Sequence, residues 1–330
     1  MRGGIDLGGT KVQAVVVDQD SKVVGEARQP TPTSGGPPAV VSQMADTMTQ
    51  AAEAAGLATA RLQGVGVGSP GAVDAKTGTV DEARNLPDWE DPFPMAAALT
   101  ELLGCAVYLG NDVSVGVRAE YELGAAKDAK SLLGVFWGTG VGGGIILDGK
   151  MWVGRGAAAE IGHMVVKRNG ARCPCGRRGC IEAYAGRAAM EAKARQWVKR
   201  GKHTELFEIM EKRGRTRLQS GIWFRALKRG DPMAVKLIDR AIAALGAGVA
   251  SAVNLLDVET VVIGGGLGTR LGDPYVRRIE AAMIPHLFVS DRPPAVLPAA
   301  LGDLGGAIGA ALLVPKEKRS PRRPRATSAG

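Results

Sequence analysis

Read for its apolar and polar positions, the chain opens with three strand-like runs: Gly3–Leu7, Val12–Asp18 and Val23–Arg28. A tight glycine turn at Gly8-Gly9-Thr10 separates the first two, and a polar turn at Gln19–Lys22 the next two. A Pro- and Gly-rich loop follows from Pro30 to Pro38. Period and propensity then predict a helix over Ala39–Ala55, a strand over Gly64–Gly68, a helix over Met95–Leu103, a strand over Cys105–Leu109 and a helix over Asp112–Glu122. Alternation of this kind predicts sheets covered by helices, an α/β class.

Near residue 131 the opening pattern returns. A strand (Ser131–Trp137) runs into the turn Gly138-Thr139-Gly140-Val141-Gly142-Gly143, and two further strands (Gly144–Leu147, Lys150–Val153) flank Asp148-Gly149. This is a repeat of architecture rather than of letters, and it predicts two related lobes. Helices dominate from about Ala188 to Leu255. A strand at Thr260–Ile263, a helix at Pro274–Ile284, a strand at Ala295–Ala300 and a last helix at Asp303–Val314 complete the reading. The expected division is 1–115 for a smaller lobe joined by the last helix (303–314), 116–302 for a larger one, and 315–330 for a basic disordered tail.

Composition narrows the class. With 330 residues, 45% hydrophobic and 23% charged, the chain has ordinary globular composition. No apolar run reaches the ~18 residues of a membrane span and no signal-like segment opens the chain, so a cytoplasmic protein without membrane partners is expected. The formal charge of +9 is peripheral: 191–230 carries twelve Lys/Arg against four Glu, 316–325 six against one, and the remainder nets −4. Both basic segments read as solvated surface.

Three glycine-rich turns carry candidate chemistry. In Asp6-Leu7-Gly8-Gly9-Thr10-Lys11 the glycines admit backbone N–H groups to phosphate oxygens, Thr10 and Lys11 add donors, and Asp6 is placed to hold Mg²⁺ through water. A bare hairpin turn is the alternative. Gly138, Thr139 and Gly140 open a run that satisfies G-x-G-x-x-G, with Glu160 about where a dinucleotide's ribose ligand would stand. A strand rather than a helix is expected next, so a second phosphate clamp fits better. Gly264, Gly265 and Gly266 end an apolar strand and form a third close-approach loop, plausible for adenosine.

Asn111-Asp112 follows a strand at an expected helix start. A helix cap is the bland reading; a carboxylate that accepts a hydroxyl proton during phosphoryl transfer is the other. His163 with Cys173, Cys175 and Cys180 makes a closed Cys₃His set, the stoichiometry of a structural zinc, with a redox-sensing cluster as the alternative. Such a metal would fix the His163 ring, so that its other nitrogen, Glu160 and Glu182 could meet sugar hydroxyls.

These motifs, with Pro70-Gly71-Ala72-Val73-Asp74 and Asn85-Leu86-Pro87-Asp88-Trp89, stand in an order that resembles the ROK family, its bacterial glucokinases in particular, from about Gly4 to Ala311. The resemblance implies a two-lobed actin-like (ribonuclease H-like) fold with ATP and Mg²⁺ in the interlobe cleft, and a hexose phosphorylated on its 6-hydroxyl. It implies Asp112 as base, sugar contacts from Gly71, Asn85, Asn111, Glu160, His163 and Glu182, and zinc on His163, Cys173, Cys175 and Cys180. A homodimer is also implied. The alternatives are kinases for N-acetylglucosamine, N-acetylmannosamine, fructose or mannose, or a polyphosphate-using enzyme. A sugar-sensing repressor is a further one, but only three residues precede Gly4 where such repressors carry a helix-turn-helix region, so no sequence-specific nucleic-acid binding is expected.

Overall fold

The computed structural model describes residues 1–83 and 86–316; the expected sugar contact Asn85 and nearly all of the expected basic tail lie outside them. Among the described residues twelve strands fall in chain order as β1 (Arg2–Leu7), β2 (Lys11–Val17), β3 (Val23–Pro30), β4 (Val65–Ser69), β5 (Ala72–Asp74), β6 (Thr79–Asp81), β7 (Val107–Asn111), β8 (Leu132–Trp137), β9 (Val141–Leu147), β10 (Lys150–Met151), β11 (Thr260–Gly264) and β12 (Ala295–Pro298). Helices are α1 (Gly36–Ala54), α2 (Met95–Leu103), α3 (Asp112–Glu122), α4 (Glu182–Ala185), α5 (Arg187–Val198), α6 (Leu206–Glu211), α7 (Ser220–Lys228), α8 (Pro232–Leu256), α9 (Gly265–Leu271), α10 (Asp273–Met283) and α11 (Gly305–Ala311).

Two five-stranded sheets carry the architecture, ordered β3-β2-β1-β4-β7 and β10-β9-β8-β11-β12. In each, the first three strands form an antiparallel meander and the last two join in parallel. The two sheets are therefore the same topological object, as the repeated sequence pattern predicts. Each has its own apolar core. One gathers Ile5, Val16, Val40, Met44 and Leu99 beneath α1 and α2. The other gathers Trp137, Trp223, Ile238, Leu245 and Val261 beneath α7 and α8.

Two glycine-bearing strands let the last helix in. A Cβ at Gly4 would stand 2.0 Å from the Ala307 carbonyl oxygen and one at Gly66 1.8 Å from that of Ala310. α11 thus lies on β1 and β4 although it follows all other elements in sequence. It is shorter than the expected 303–314, because a 3-10 turn over Gly302–Leu304 precedes it.

α3 touches both sheets. A Cβ at Gly68 on β4 would meet Val115, and Cβ atoms at Gly134 on β8 and Gly144 on β9 would meet Val117. Its buried Glu120 accepts from the backbone N–H groups of Ala300 and Leu301, each at 2.9 Å. That carboxylate ties the loop after β12 to α3 across the two halves.

Candidate functional site

A cleft of about 1190 Å³ opens where the ends of the two sheets face each other across α3. It is lined by Asp6, Gly8, Gly9, Thr10 and Lys11 from the first turn, by Gly138, Thr139 and Gly140 from the second, and by Gly265 and Gly266 from the third. The cleft also takes in Gly71, Asn111, Asp112, Glu160, His163 and Glu182. Residues spread over more than 250 positions of sequence are brought to one wall-to-wall space.

Each turn is built by short backbone bonds. The Gly8 N–H donates to the Lys11 carbonyl at 2.9 Å and closes the β1–β2 turn. The Gly138 N–H donates to the Gly140 carbonyl at 2.9 Å, and β9 begins at Val141. A strand, not a helix, follows the second turn, so the Gly138–Gly143 run opens a β-hairpin and is not a dinucleotide fingerprint. The third turn differs. Gly264 is buried within β11, paired with Phe136 of β8, and does not line the cleft. Gly265, at φ +79°, turns the chain into α9, and a Cβ there would sit 2.7 Å from the Trp137 backbone nitrogen. Only glycine fits at that position.

Asn111 and Asp112 divide the two readings open in the sequence. Asn111 is the cap of α3: its Oδ1 accepts from the N–H groups of Val113 (3.1 Å) and Ser114 (3.2 Å). Only its amide NH₂ is left to reach into the cleft. Asp112 faces the cleft from the first turn of the helix, with Oδ1 accepting from the Val113 N–H at 2.9 Å. Burial, and after it the charge of Glu160, push its carboxyl above the usual range, against the helix-start N–H groups that pull it down. Asp6 is pushed up to about 6, by burial first and then by Asp112, with Lys11 opposing. Two carboxylates whose charged forms are both disfavoured by burial converge in a cleft of N–H donors, a site that gains from a cation and a polyphosphate together.

Glu160 precedes and His163 ends a 3-10 turn over Ile161–His163, with the His163 Nε2 at 3.9 Å from Glu160 Oε2. The opposite ring nitrogen, Nδ1, lies 3.7 Å from the Cys173 sulfur. Cys175 and Cys180 sulfurs are 3.8 Å apart, and the four ligand atoms all fall within 4.8 Å of one another. A tetrahedral ion with bonds of about 2.3 Å to sulfur sets its ligands about 3.8 Å apart, so the set fits zinc. The thiols are polarised unequally: burial pushes Cys173 up to about 12, whereas the Arg177 N–H draws Cys175 down to about 7. An ion held by these four would have no position left for water and would brace the 163–180 segment.

Glu182 is partly spoken for. Its Oε2 accepts from the Val141 N–H at 2.9 Å and would collide with any Cβ on Gly140. The carboxylate therefore shapes the second glycine turn, and Glu182 also lines the cleft.

Sequence reasoning missed Arg187. Its guanidinium donates to Thr139 Oγ1 at 2.7 Å and Ser220 Oγ at 2.9 Å, so the second turn is stapled to the start of α7. Burial lowers its pKa, with Arg217 adding to the effect. Arg215, Gln219, Ser220 and Arg270 join it at the same end of the cleft. Part of the charged 191–230 segment is thus cleft wall rather than plain solvated surface. No sequence spacing signals this, because α5, α6 and α7 fold back on one another over loops that carry no motif.

A family model described as ROK family matches residues 2–317. The chain belongs to the ROK family. Among its relatives, a glucokinase from Thermotoga maritima is 31% identical over 87% of this chain and 88% of the relative. An N-acetylmannosamine kinase from Yersinia pseudotuberculosis is 32% identical over 84% and 86% respectively. A crystal structure of a ROK family glucokinase from Streptomyces griseus, in complex with glucose and AMPPNP, superposes with a TM-score of 0.80 at 32% identity, covering 94% of this chain and 98% of that one. The paired sheets with α3 between them are accordingly the actin-like α/β fold that the sequence implies. No helix among the described residues is long and apolar enough to cross a membrane.

Proposed function

We propose that this ROK chain is a hexokinase-type phosphotransferase that moves the terminal phosphoryl group of Mg-ATP to the 6-hydroxyl of glucose. The observation that carries the reading is Asp112, a carboxylate raised above its usual pKa and held at the floor of a cleft between two glycine clamps. As the acceptor oxygen forms its bond to phosphorus and the bond to the ADP oxygen breaks, Asp112 takes the hydroxyl proton. Backbone N–H groups of the Gly8–Lys11 and Gly138–Gly140 turns, with Lys11 and Thr139, hold the charge spreading on the phosphoryl oxygens. Asp6 holds the substrate's Mg²⁺ through water, and Gly265-Gly266 at the head of α9 leave room for the adenosine.

Glucose lies toward Gly71, the Asn111 amide, Glu160, His163 and Glu182, with Asn85 expected beside them. A zinc on His163 Nδ1, Cys173, Cys175 and Cys180 would supply no reactive water; it would hold the His163 ring so that Nε2 and Glu160 face the sugar. The two sheets with their helices act as lobes, the smaller completed by α11. A reducing cytoplasmic setting suits four unpaired cysteines, and a homodimer is the assembly proposed.

The related N-acetylmannosamine kinase supports one second reading, a 2-acetamido sugar as acceptor. Coupled ADP release over glucose, mannose, N-acetylglucosamine and N-acetylmannosamine separates the two. Glucose is expected to give the highest kcat/KM, and a preference for an acetamido sugar would move the assignment. No ADP release with any hexose would remove the kinase reading altogether.

A further inference from the structure

We infer that Arg187 is a positioning residue for the nucleotide: it fixes the polarity of the Thr139 hydroxyl, so that the second glycine turn offers an anion hydrogen-bond donors and no free acceptors. The carbonyls of Gly138, Thr139 and Gly140 are all engaged. That of Gly140 accepts from the Gly138 N–H at 2.9 Å, and those of Gly138 and Thr139 accept from the N–H groups of Arg187 and Ala188, each at 3.1 Å. The first residues of α5 thus take up the acceptors of the turn with N–H groups that a helix start leaves over. The N–H groups of Thr139 and Gly140 themselves have no acceptor among the described residues, which leaves them for a ligand.

One hydroxyl then decides the character of the turn. A threonine hydroxyl can donate one hydrogen bond and accept two, so alone it could present either a hydrogen or a lone pair to the cleft. Arg187 removes the choice, because a guanidinium has donors only. Its Nη2 donates to Thr139 Oγ1 at 2.7 Å and its Nη1 to Ser220 Oγ at 2.9 Å. With a lone pair taken by a cation, the single hydrogen of Thr139 is left for the cleft that this residue lines, and its O–H bond is polarised.

The charge of Arg187 is not cancelled by contact. Among the described residues no carboxylate lies within ion-pair distance of it: Glu191, one helical turn on, is taken up by Arg195 at 2.8 Å and Arg217 at 3.3 Å. Glu191 also accepts from the Leu218 N–H at 2.9 Å and so fixes the approach to α7, whose first residue is Ser220. Two hydroxyls on separate elements, met by the two terminal nitrogens of one side chain, call for the rigid fork of arginine rather than the point charge of lysine. The role rests on the kinase reading in that the ligand of the turn is the phosphate end of the nucleotide, but binding alone suffices to test it, with no sugar present.

The test is calorimetric titration of the full chain with Mg-AMPPNP. Arg187→Gln and Thr139→Val are each expected to weaken binding by about tenfold, the loss of one charge-assisted bond. In the double variant Arg187→Gln should cost no more than about twofold beyond Thr139→Val, because the hydroxyl it acts through is gone. Thr139→Ser keeps the hydroxyl, so affinity should stay near wild type and Arg187→Gln in that background should again cost about tenfold. Arg187→Lys, which keeps the charge and one donor at a time, takes the same place in the cycle should the glutamine variant fail to fold. A full-sized effect of Arg187→Gln in the valine background would mean that the guanidinium acts on the nucleotide directly or on the fold at large, and would overturn the role. Unchanged affinity in Arg187→Gln, or no binding of Mg-AMPPNP by the wild type, would overturn it too. Absence of ADP release with any hexose beside a coupled cycle would strike the kinase reading and leave Arg187 its role, whereas an uncoupled cycle beside wild-type turnover would strike the role alone.

Discussion

A carboxylate that must take a proton from an alcohol at neutral pH gains from a pKa above the ordinary one, provided it is still ionised when substrate arrives. Burial supplies that shift at Asp112. Asp112→Asn is expected to lower kcat by roughly 10²- to 10⁴-fold while glucose affinity, read by calorimetry, changes little; retained turnover would take the proton-accepting role from this residue. Because the reactive form is ionised, the acid limb of the kcat/KM profile should fall at a pH above that of an ordinary aspartate, and activity should rise with pH through it. Asp6 gives a stability counterpart with a definite sign. Its folded pKa of about 6 lies above that of an ordinary aspartate, so the folded state holds the extra proton and loses stability as pH rises through that window. Asp6→Asn should therefore make the ligand-free protein more stable than wild type at pH 8, by on the order of 2 kcal/mol, with the gap closing toward pH 4. Activity should fall in the same variant. Denaturant titration at the two pH values checks the first statement; an equal difference at both would contradict it.

At the scale of elements, the sequence was most informative where a strand meets a glycine turn. The β1–β2 hairpin and the start of α3 stand where apolar runs, Gly8-Gly9 and Asn111 place them, because strand period and cap chemistry are local properties, whereas β9 begins at Val141, three residues before the expected Gly144, because Val141, Gly142 and Gly143 pair with β8. The β5–β6 hairpin was not legible, since three-residue strands show no period. Nor was α9: Gly265-Gly266-Leu267-Gly268 has poor helix propensity, and burial of Leu267 and Leu271 overrides it. Arg187 was invisible for the same reason, as its meaning comes from Thr139 and Ser220 across the fold. The cysteine cluster, by contrast, was legible as three crowded thiols and one of three histidines, although its C-x-C spacing departs from the usual knuckle, and its geometry gives the third prediction. The purified protein should carry about one zinc per chain, and a strong chelator or Cys175→Ser should lower the melting temperature by at least ~5 °C. Metal-free protein with an unchanged melt would end the structural-zinc proposal.

Over the whole molecule, charge is distributed by task. The excess that gives the chain its +9 includes Arg215, which lines the cleft with Arg187 and Arg270, and the same cleft presents Asp112, Glu160 and Glu182; in the proposed function the cations take the donor end and the carboxylates the acceptor side. A cleft with a cationic end and an acidic floor attracts a polyanionic donor over distance but offers a neutral sugar only contact hydrogen bonds. The screening length at ~0.15 M salt is about 8 Å, short against a cleft of this size, so salt acts on the first process far more than on the second. Raising NaCl from about 50 to 300 mM should therefore lower kcat/KM for ATP several-fold while kcat/KM for glucose, measured at saturating ATP, stays within about twofold. A parallel fall for both substrates would mean that salt acts on the fold or on lobe movement rather than on donor capture, and the cationic end of the cleft would lose its part in binding.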